Sequence, residues 1–283
     1  MRKIWLPLTL FLILFHFLQG TALIHNLTSS APTVQSYYVD RLQVVTYNIR
    51  GCRDDQGHAD PNKVVAALRP LSADIIALQE VDNTLPRSSF INQVATIAAS
   101  LHMNYAYAPS INFLFGTYGN AVLSKYPILH AASTPLPATW EPRSLLDVTL
   151  DWYGTPLHVY TTHLGVKASE HPEQIQSLYT YLQKKSGDTG VLLGDFNMYA
   201  DNSLLDSVRS LLQDPLFEKH VVLGTLRSKQ SLKELDHIFL SHDLQFFQAT
   251  APPMGPSDHY PVLMEIAKRM NPGGNLATPM PFS

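Results

Sequence analysis

Six polar clusters stand at the ends of apolar runs in this chain. LQVVTY (42–47) stops at Asn48, DIIAL (74–78) at Gln79-Glu80, LHVYTT (157–162) at His163, and VLL (191–193) at Gly194-Asp195-Phe196-Asn197. Leu235-Asp236-His237 and Ser257-Asp258-His259 stand where later apolar runs begin. Carboxylates in this number, without thiolate partners, suit a hard divalent cation such as Mg²⁺ or Mn²⁺. An Asp–His pair beside such an ion suits acid–base chemistry on a phosphoryl group. Hydrolysing a phosphodiester at neutral pH needs charge neutralised on the equatorial oxygens and a water aimed at phosphorus. A cation with Asn and His donors supplies the first need, and an aspartate supplies the second.

Side chains so far apart in sequence meet only if strands carry them to one rim. Strands are expected over Leu42–Tyr47, Asp74–Leu78, Asn120–Ser124, Ser144–Trp152, Leu157–Thr162, Val191–Leu193, Leu235–Leu240, Leu244–Thr250 and Tyr260–Ile266. Helices are expected from Pro61, behind an Asp60 cap, and over Phe90–Leu101, Glu173–Lys185 and Ser203–Leu212. Many strands with interspersed helices, not in strict alternation, imply an α/β fold of two mixed sheets packed face to face with outer helices.

Each of these residue types also has a plainer structural role. An Asp or Asn at a strand end is commonly a turn or cap. His237 alternates to the face opposite Asp236 and reads as packing. Cys52 reads as a small packed residue, Tyr105 and Tyr107 as core, and Asp82 as structural. Arg87 reads equally as a substrate contact or a solvated loop arginine. Asn112–Tyr118 (NFLFGTY) reads either as a packed strand or as an exposed apolar loop near the cleft.

The 283 residues are 45% hydrophobic and 15% charged, with a net charge of −3. That composition supports one large core and excludes a strongly basic nucleic-acid coat. One cysteine excludes an internal disulfide framework and a multi-Cys zinc site. Arg2-Lys3 followed by the apolar run Ile4–Leu18 has the layout of a signal peptide or an uncleaved anchor over residues 1–22. Loss of that segment would take Arg2 and Lys3 with it and move the net charge from −3 to −5. Residues 23–40 read as a Thr/Ser/Pro-rich tether, 41–268 as one catalytic domain, and 269–283 as a loose Pro/Gly-rich tail. The expectation is an exported protein, secreted or anchored facing outside. It is expected to act as a monomer, with membrane contact through its N-terminal segment.

Read together, TYNIRG (46–51), LQEVD (78–82), YGNAVLSKYPI (118–128), TTHLG (161–165), LLGDFN (192–197), LDHIFL (235–240) and SDHYPV (257–262) resemble the endonuclease/exonuclease/phosphatase superfamily. Each string is weak alone, but seven in order, from Leu42 to Ile266, are specific. The resemblance implies a four-layer α/β/β/α sandwich and a divalent cation, Mg²⁺ or Mn²⁺. It implies Glu80 as the main metal ligand, assisted by Asn48 and, directly or through water, by Asp258. Asp195 and Asn197 would orient the attacking water and contact phosphate. His259 would stabilise the pentavalent transition state or move a proton, with Asp236 fixing its tautomer. His163 would lie against the scissile phosphate, and Arg143 would bind it alongside Asn48.

The sequence also departs from that pattern. Abasic-site endonucleases of the superfamily place an acid two positions after the strand-end Asn, and here that position is Arg50. The Lys/Arg-rich loops that grip DNA are absent, so duplex binding is not favoured by charge. The implied activity is a metal-dependent phosphoesterase hydrolysing a phosphodiester or a phosphomonoester through an activated water. A secreted endonuclease, a membrane-tethered lipid head-group phosphodiesterase and an inactive binding module are the rival readings.

Overall fold

The computed structural model describes residues 22–27, 41–227 and 234–269. Its elements, in chain order, are β1 (Leu23–His25), β2 (Leu42–Asn48), α1 (Pro61–Leu68), β3 (Ile75–Asn83), α2 (Gln93–Leu101), β4 (Asn104–Phe113), β5 (Gly116–Ser124) and β6 (Ile128–Leu136). Then follow β7 (Arg143–Trp152), β8 (Thr155–His163), α3 (His171–Gln183), β9 (Gly190–Asp195), α4 (Asp206–Arg209), α5 (Pro215–Glu218), β10 (Asp236–Leu240), β11 (Leu244–Thr250) and β12 (Val262–Lys268). Among the described residues, one sheet runs β1-β4-β5-β3-β2-β12-β11 and the other β10-β9-β8-β7-β6. Both are mixed: β2 pairs parallel with β3 and β8 parallel with β9, while the remaining neighbours are antiparallel.

Three apolar layers hold four layers of structure together. Leu42, Val44, Ile75 and Val122 of the larger sheet meet Leu146, Val159, Leu193 and Ile238 of the smaller. On the outer face of the larger sheet, Val45, Ile76 and Leu123 pack on Val64 and Leu68 of α1 and Ile97 of α2. On the outer face of the smaller sheet, Leu192 and Phe239 pack on Ile175, Leu178 and Leu182 of α3 and Val208 of α4. This is the α/β/β/α sandwich that the sequence implied. Successive strand residues face opposite ways, so the inner face of β2 reads Leu42, Val44, Thr46, Asn48. That of β9 reads Val191, Leu193, Asp195. The last inward position of each strand is therefore polar and turned toward the facing sheet.

Some elements differ from expectation. Leu23–His25, expected within a tether, is an edge strand on β4, with Leu23 opposite Tyr107 and His25 opposite Tyr105. Asn26 fixes it by exchanging hydrogen bonds with Ile128. Residues 1–21, 28–40 and 270–283 lie outside the described residues, so the leader, most of the tether and most of the tail do too. Among the described residues no helix is long and apolar enough to cross a membrane. The helix expected from Phe90 starts at Gln93, because the Asn92 side chain accepts from Ala95 N–H and caps it there. The helix expected over Ser203–Leu212 shrinks to a 3₁₀ turn and the single turn of α4.

Asn112–Tyr118 forms the β4–β5 hairpin, with Phe113 opposite Gly116 and the tip exposed. β6 had no sequence signal. It carries Ala131, Ala132 and Pro135 in place of a β-branched run, and it is the sheet's edge strand, where proline costs no ladder bond.

Candidate active site

The ends of β2, β3, β8 and β9 converge on one mouth. Asn48 spans it: its Nδ2 donates to Glu80 Oε1 at 3.0 Å and to Asp195 Oδ2 at 3.0 Å. Asn48 Oδ1 accepts from the Arg50 backbone N–H at 3.0 Å. In this orientation the amide nitrogen faces the carboxylates, and one of the two lone pairs of the oxygen is taken by the Arg50 N–H. Asn48 thus ties the two sheets' acids together.

Glu80 reaches this position against strict alternation. Gln79 already faces inward, donating from Nε2 to Thr161 Oγ1 of the other sheet at 3.0 Å. An unbroken strand would turn Glu80 outward. Instead the β3–β5 register shifts between Leu78 and Val81, and Glu80 takes φ +59°. A bulge of this kind re-aims one side chain while the strand continues. Asn197 is likewise at φ +50°. Left-handed non-glycine residues are costly and gather at functional sites.

β9 and β10 carry the other acids. Asp195 and Asp236 are directly paired across the two strands. Gly194, just before Asp195, lies so close to β8 that a Cβ would stand 2.0 Å from Thr162 O, so only glycine fits. His259 Nδ1 donates to Asp236 Oδ2 at 2.8 Å, and its Nε2 lies 3.6 Å from Asp195 Oδ2. Burial alone would discharge His259, but the Asp236 carboxylate, with Asp195, reverses this and raises its pKa to about 10. Burial, then the Asp236 charge, pushes Asp195 up to about 7.

His163 is held neutral by burial and by Arg143, which lies against it. Both ring nitrogens of His163 face donors, Nδ1 the Arg143 Nη1 at 3.2 Å and Nε2 the Asn197 Nδ2 at 3.2 Å. His163 Nε2 also lies 3.5 Å from Asp195 Oδ2. Asn197 donates from its backbone N–H to Asp195 Oδ1 at 2.9 Å and from Nδ2 to Leu164 O at 3.0 Å.

Seven of the nine expected residues thus form one bonded group: Asn48, Glu80, Asp195, Asn197, His163, Asp236 and His259. Arg143 joins through His163, but its Nη1 also pairs with Glu141 Oε1 at 2.7 Å. Asp258 stands at the edge of this group. Its carboxylate is half-exposed and faces Arg50 Nε at 3.8 Å. Arg87 matches neither reading offered for it, since it clamps the buried Asp82 through three hydrogen bonds, Nη2–Oδ1 at 2.6 Å, Nε–Oδ2 at 2.9 Å and Nε–Oδ1 at 3.2 Å. His237 packs as expected, bonded through Nε2 to Met198 O. Cys52 is buried, and burial pushes its thiol far above the ordinary range.

Ser257 was missed as a site residue although it heads the SDHYPV string. Its buried hydroxyl donates to Asn48 O at 2.7 Å and accepts from His259 N–H at 3.2 Å, so one side chain sets both.

The donor set suits a hard cation. Ligand atoms of Asp195, Asp236 and His259 lie within 4.8 Å of one another, all three residues buried. Asp236 Oδ1 has no hydrogen-bond partner. Two buried carboxylates, with Glu80 beside them, outweigh the one imidazolium, and such an excess is costly without further positive charge.

Glu234, just before β10, is buried beyond the site. Burial, then the Asp214 charge, pushes its carboxyl up to about 7. A carboxyl raised above its unfolded value withdraws stability as pH rises from the ordinary carboxylate range through about 7. Glu234→Gln is therefore expected to melt higher than the parent at pH 8, with the gap closing toward pH 4. Melting temperatures across that range check it, and a gap independent of pH would refute the charge origin.

Two mixed sheets bearing buried Asp, His and Asn at their facing ends define the phosphoesterase type of α/β/β/α sandwich. The sequence profile of the Endonuclease/Exonuclease/phosphatase family matches residues 45–259, and the chain belongs to that family. Its members hydrolyse phosphate esters. The uncharacterized protein YbhP of Escherichia coli K12 is 28% identical over 142 residues, covering 46% of this chain and 56% of YbhP. The chain thus spans little more than half the length of that relative. An endonuclease/exonuclease/phosphatase from Beutenbergia cavernae superposes with a TM-score of 0.69 at 21% identity, covering 81% of this chain and 72% of the other. The mannosyl-6-phosphatase Bt3783 of Bacteroides thetaiotaomicron gives a TM-score of 0.65 at 18% identity, covering 80% and 99%. At these identities the two solved structures share the fold.

Proposed function

We propose that the chain hydrolyses a phosphodiester by attack of a water held at Asp195, with a divalent cation, Mg²⁺ or Mn²⁺, held by Glu80. The observation that carries this is the buried Asp195–His259–Asp236 constellation tied to Glu80 through Asn48. The cation, when bound, neutralises charge growing on the phosphoryl oxygens. The chain's own groups do the rest.

Asp195, poised near neutrality, takes a proton from the water as its oxygen attacks phosphorus. The P–O bond to the leaving alcohol breaks. His259 donates from Nε2 to the phosphoryl group as it becomes pentavalent, and it is the acid available to protonate the leaving oxygen. The 3.6 Å separation of His259 Nε2 and Asp195 Oδ2 then provides a path for the proton to return. Asp236 holds the imidazole through Nδ1. His163 lines the same space, its Nε2 3.5 Å from Asp195 Oδ2.

A singly charged diester suits this mouth better than a doubly charged monoester. Its acids outnumber its cations, and Arg143 is already paired with Glu141. Exported action, secreted or anchored, belongs to the same proposal and rests on Arg2-Lys3 and the apolar run Ile4–Leu18. The test is release of nitrophenol from bis(p-nitrophenyl) phosphate with Mg²⁺ or Mn²⁺, beside p-nitrophenyl phosphate and plasmid DNA. Turnover of the diester above the monoester is expected. Turnover of the monoester alone would overturn the diester assignment, and rapid plasmid nicking at low salt would move the reading to a nuclease.

A further inference from the structure

The loops that leave the mouth are apolar at their tips. Phe90 follows β3. Phe113, Leu114 and Phe115 cap the β4–β5 hairpin, Trp140 lies in the β6–β7 connection, and Val166 lies in the loop after β8. All are exposed, Leu114 by 86% and Trp140 by 76%. The register places the hairpin tip beyond the acid cluster. Val81, next to Glu80, pairs with Gly119, and the hairpin turns three residues further on, at Gly116. At roughly 3.3 Å per residue the tip stands about 10 Å above Glu80. Burial is the ordinary fate of such side chains, so several of them on the loops leaving a charged site mark a contact surface.

Two further features say what contacts it. A cation stands among these tips: Lys167 Nζ lies 4.9 Å from the centre of the Trp140 ring. Basic groups beside exposed aromatic and aliphatic ones suit the headgroup boundary of a bilayer. The path of the chain agrees. β1 runs antiparallel to β4, with Leu23 opposite Tyr107 and His25 opposite Tyr105, so the N-terminal end of β1 is the one toward the hairpin tip. The apolar run Ile4–Leu18 lies only a few residues upstream.

We propose that this rim seats on a lipid surface, and that the ester hydrolysed is the headgroup phosphodiester of an amphiphile delivered from it. The substrate half rests on the phosphodiesterase reading, and the docking half does not. Hydrolysis there adds the water oxygen to phosphorus, breaks the P–O bond to one alcohol, and protonates that alcohol's oxygen.

Trp140 reports the docking. In the full chain carrying Trp5→Phe, the remaining tryptophans are Trp140 and the buried Trp152. Vesicles of phosphatidylcholine with a minority of phosphatidylglycerol, brominated in the acyl chains, are expected to quench Trp140. Leu114→Ser together with Phe115→Ser should weaken vesicle partitioning by about tenfold or more, since two exposed apolar side chains no longer insert. The single Leu114→Ser, at the most exposed position, should move it in the same direction. Equal quenching in parent and variants, or none in the parent, would overturn the proposal. A concentration-dependent dimer that the same substitutions dissolve, with no quenching, would give the rim to a second copy and overturn it as well. A parent chain that is quenched by vesicles but inactive on bis(p-nitrophenyl) phosphate would sink the phosphodiesterase reading and leave the docking face standing.

Discussion

His259→Ala is expected to lower turnover of a phosphodiester by about 10²–10⁴-fold, the range for removing acid–base assistance. The residue is placed for that loss by two contacts. Its Nδ1 is committed to Asp236, which leaves Nε2 as the proton that can meet substrate, 3.6 Å from Asp195. Asp236→Asn should reproduce most of the deficit, because an amide accepts the hydrogen bond but no longer stabilises the imidazolium. The double variant should then be little worse than His259→Ala alone, since residues that act as one unit give non-additive losses. Steady-state kinetics on a soluble diester decides this, and losses that multiply would separate Asp236 from the histidine. Stability gives an independent reading. Asp236 Oδ1 is buried and unpartnered. Removing that charge breaks the buried pair with His259 and should lower the melting temperature near neutral pH.

The legible part of this molecule was the part written in apolar runs with polar ends. β2, β8 and β9 have inner faces that close on Asn48, His163 and Asp195, and alternation alone says those residues face the opposite sheet. Three things lay beyond that rule. Glu80 needs a bulge, and alternation would have turned it away from Asn48; only likeness to relatives placed it. The hydrogen-bonding sense of Asn48 was not legible, because a carboxamide presents a donor and an acceptor on one short side chain and its neighbours decide which faces the acids. Arg87 was not legible either, because nothing in its local sequence reveals that Asp82 is buried and must be paired. The same logic explains β6, whose weak strand signal suffices at an edge where β7 supplies the ladder. Leu23–His25, polar-flanked and short, is a strand only because β4 offers it an open edge.

Asp195→Asn and Glu80→Gln should fail in opposite ways. Asp195→Asn removes the group that takes the water's proton, and turnover should fall by about 10²–10⁴-fold at any cation concentration. Glu80→Gln keeps the base and weakens the hold on the cation. Its turnover should recover when Mg²⁺ is raised, with the half-activating concentration up by at least 10–100-fold, a range that even outer-shell changes reach. Melting temperature supplies a readout free of catalysis, because a cation that binds only the folded chain stabilises it by mass action. The parent should melt higher as Mg²⁺ is added, Asp195→Asn should keep most of that rise, and Glu80→Gln should lose it. The contrast matters because the structure offers two donor sets. Glu80 stands at the bulge beside Asn48, while the tightest cluster of ligand atoms is Asp195, Asp236 and His259. If Asp195→Asn erased the Mg²⁺-dependent rise and Glu80→Gln kept it, the cation would belong to the Asp195 cluster. Asp195 and His259 could not then be free to move the proton, and the assignment of base and acid would have to be withdrawn together with that of the ligand.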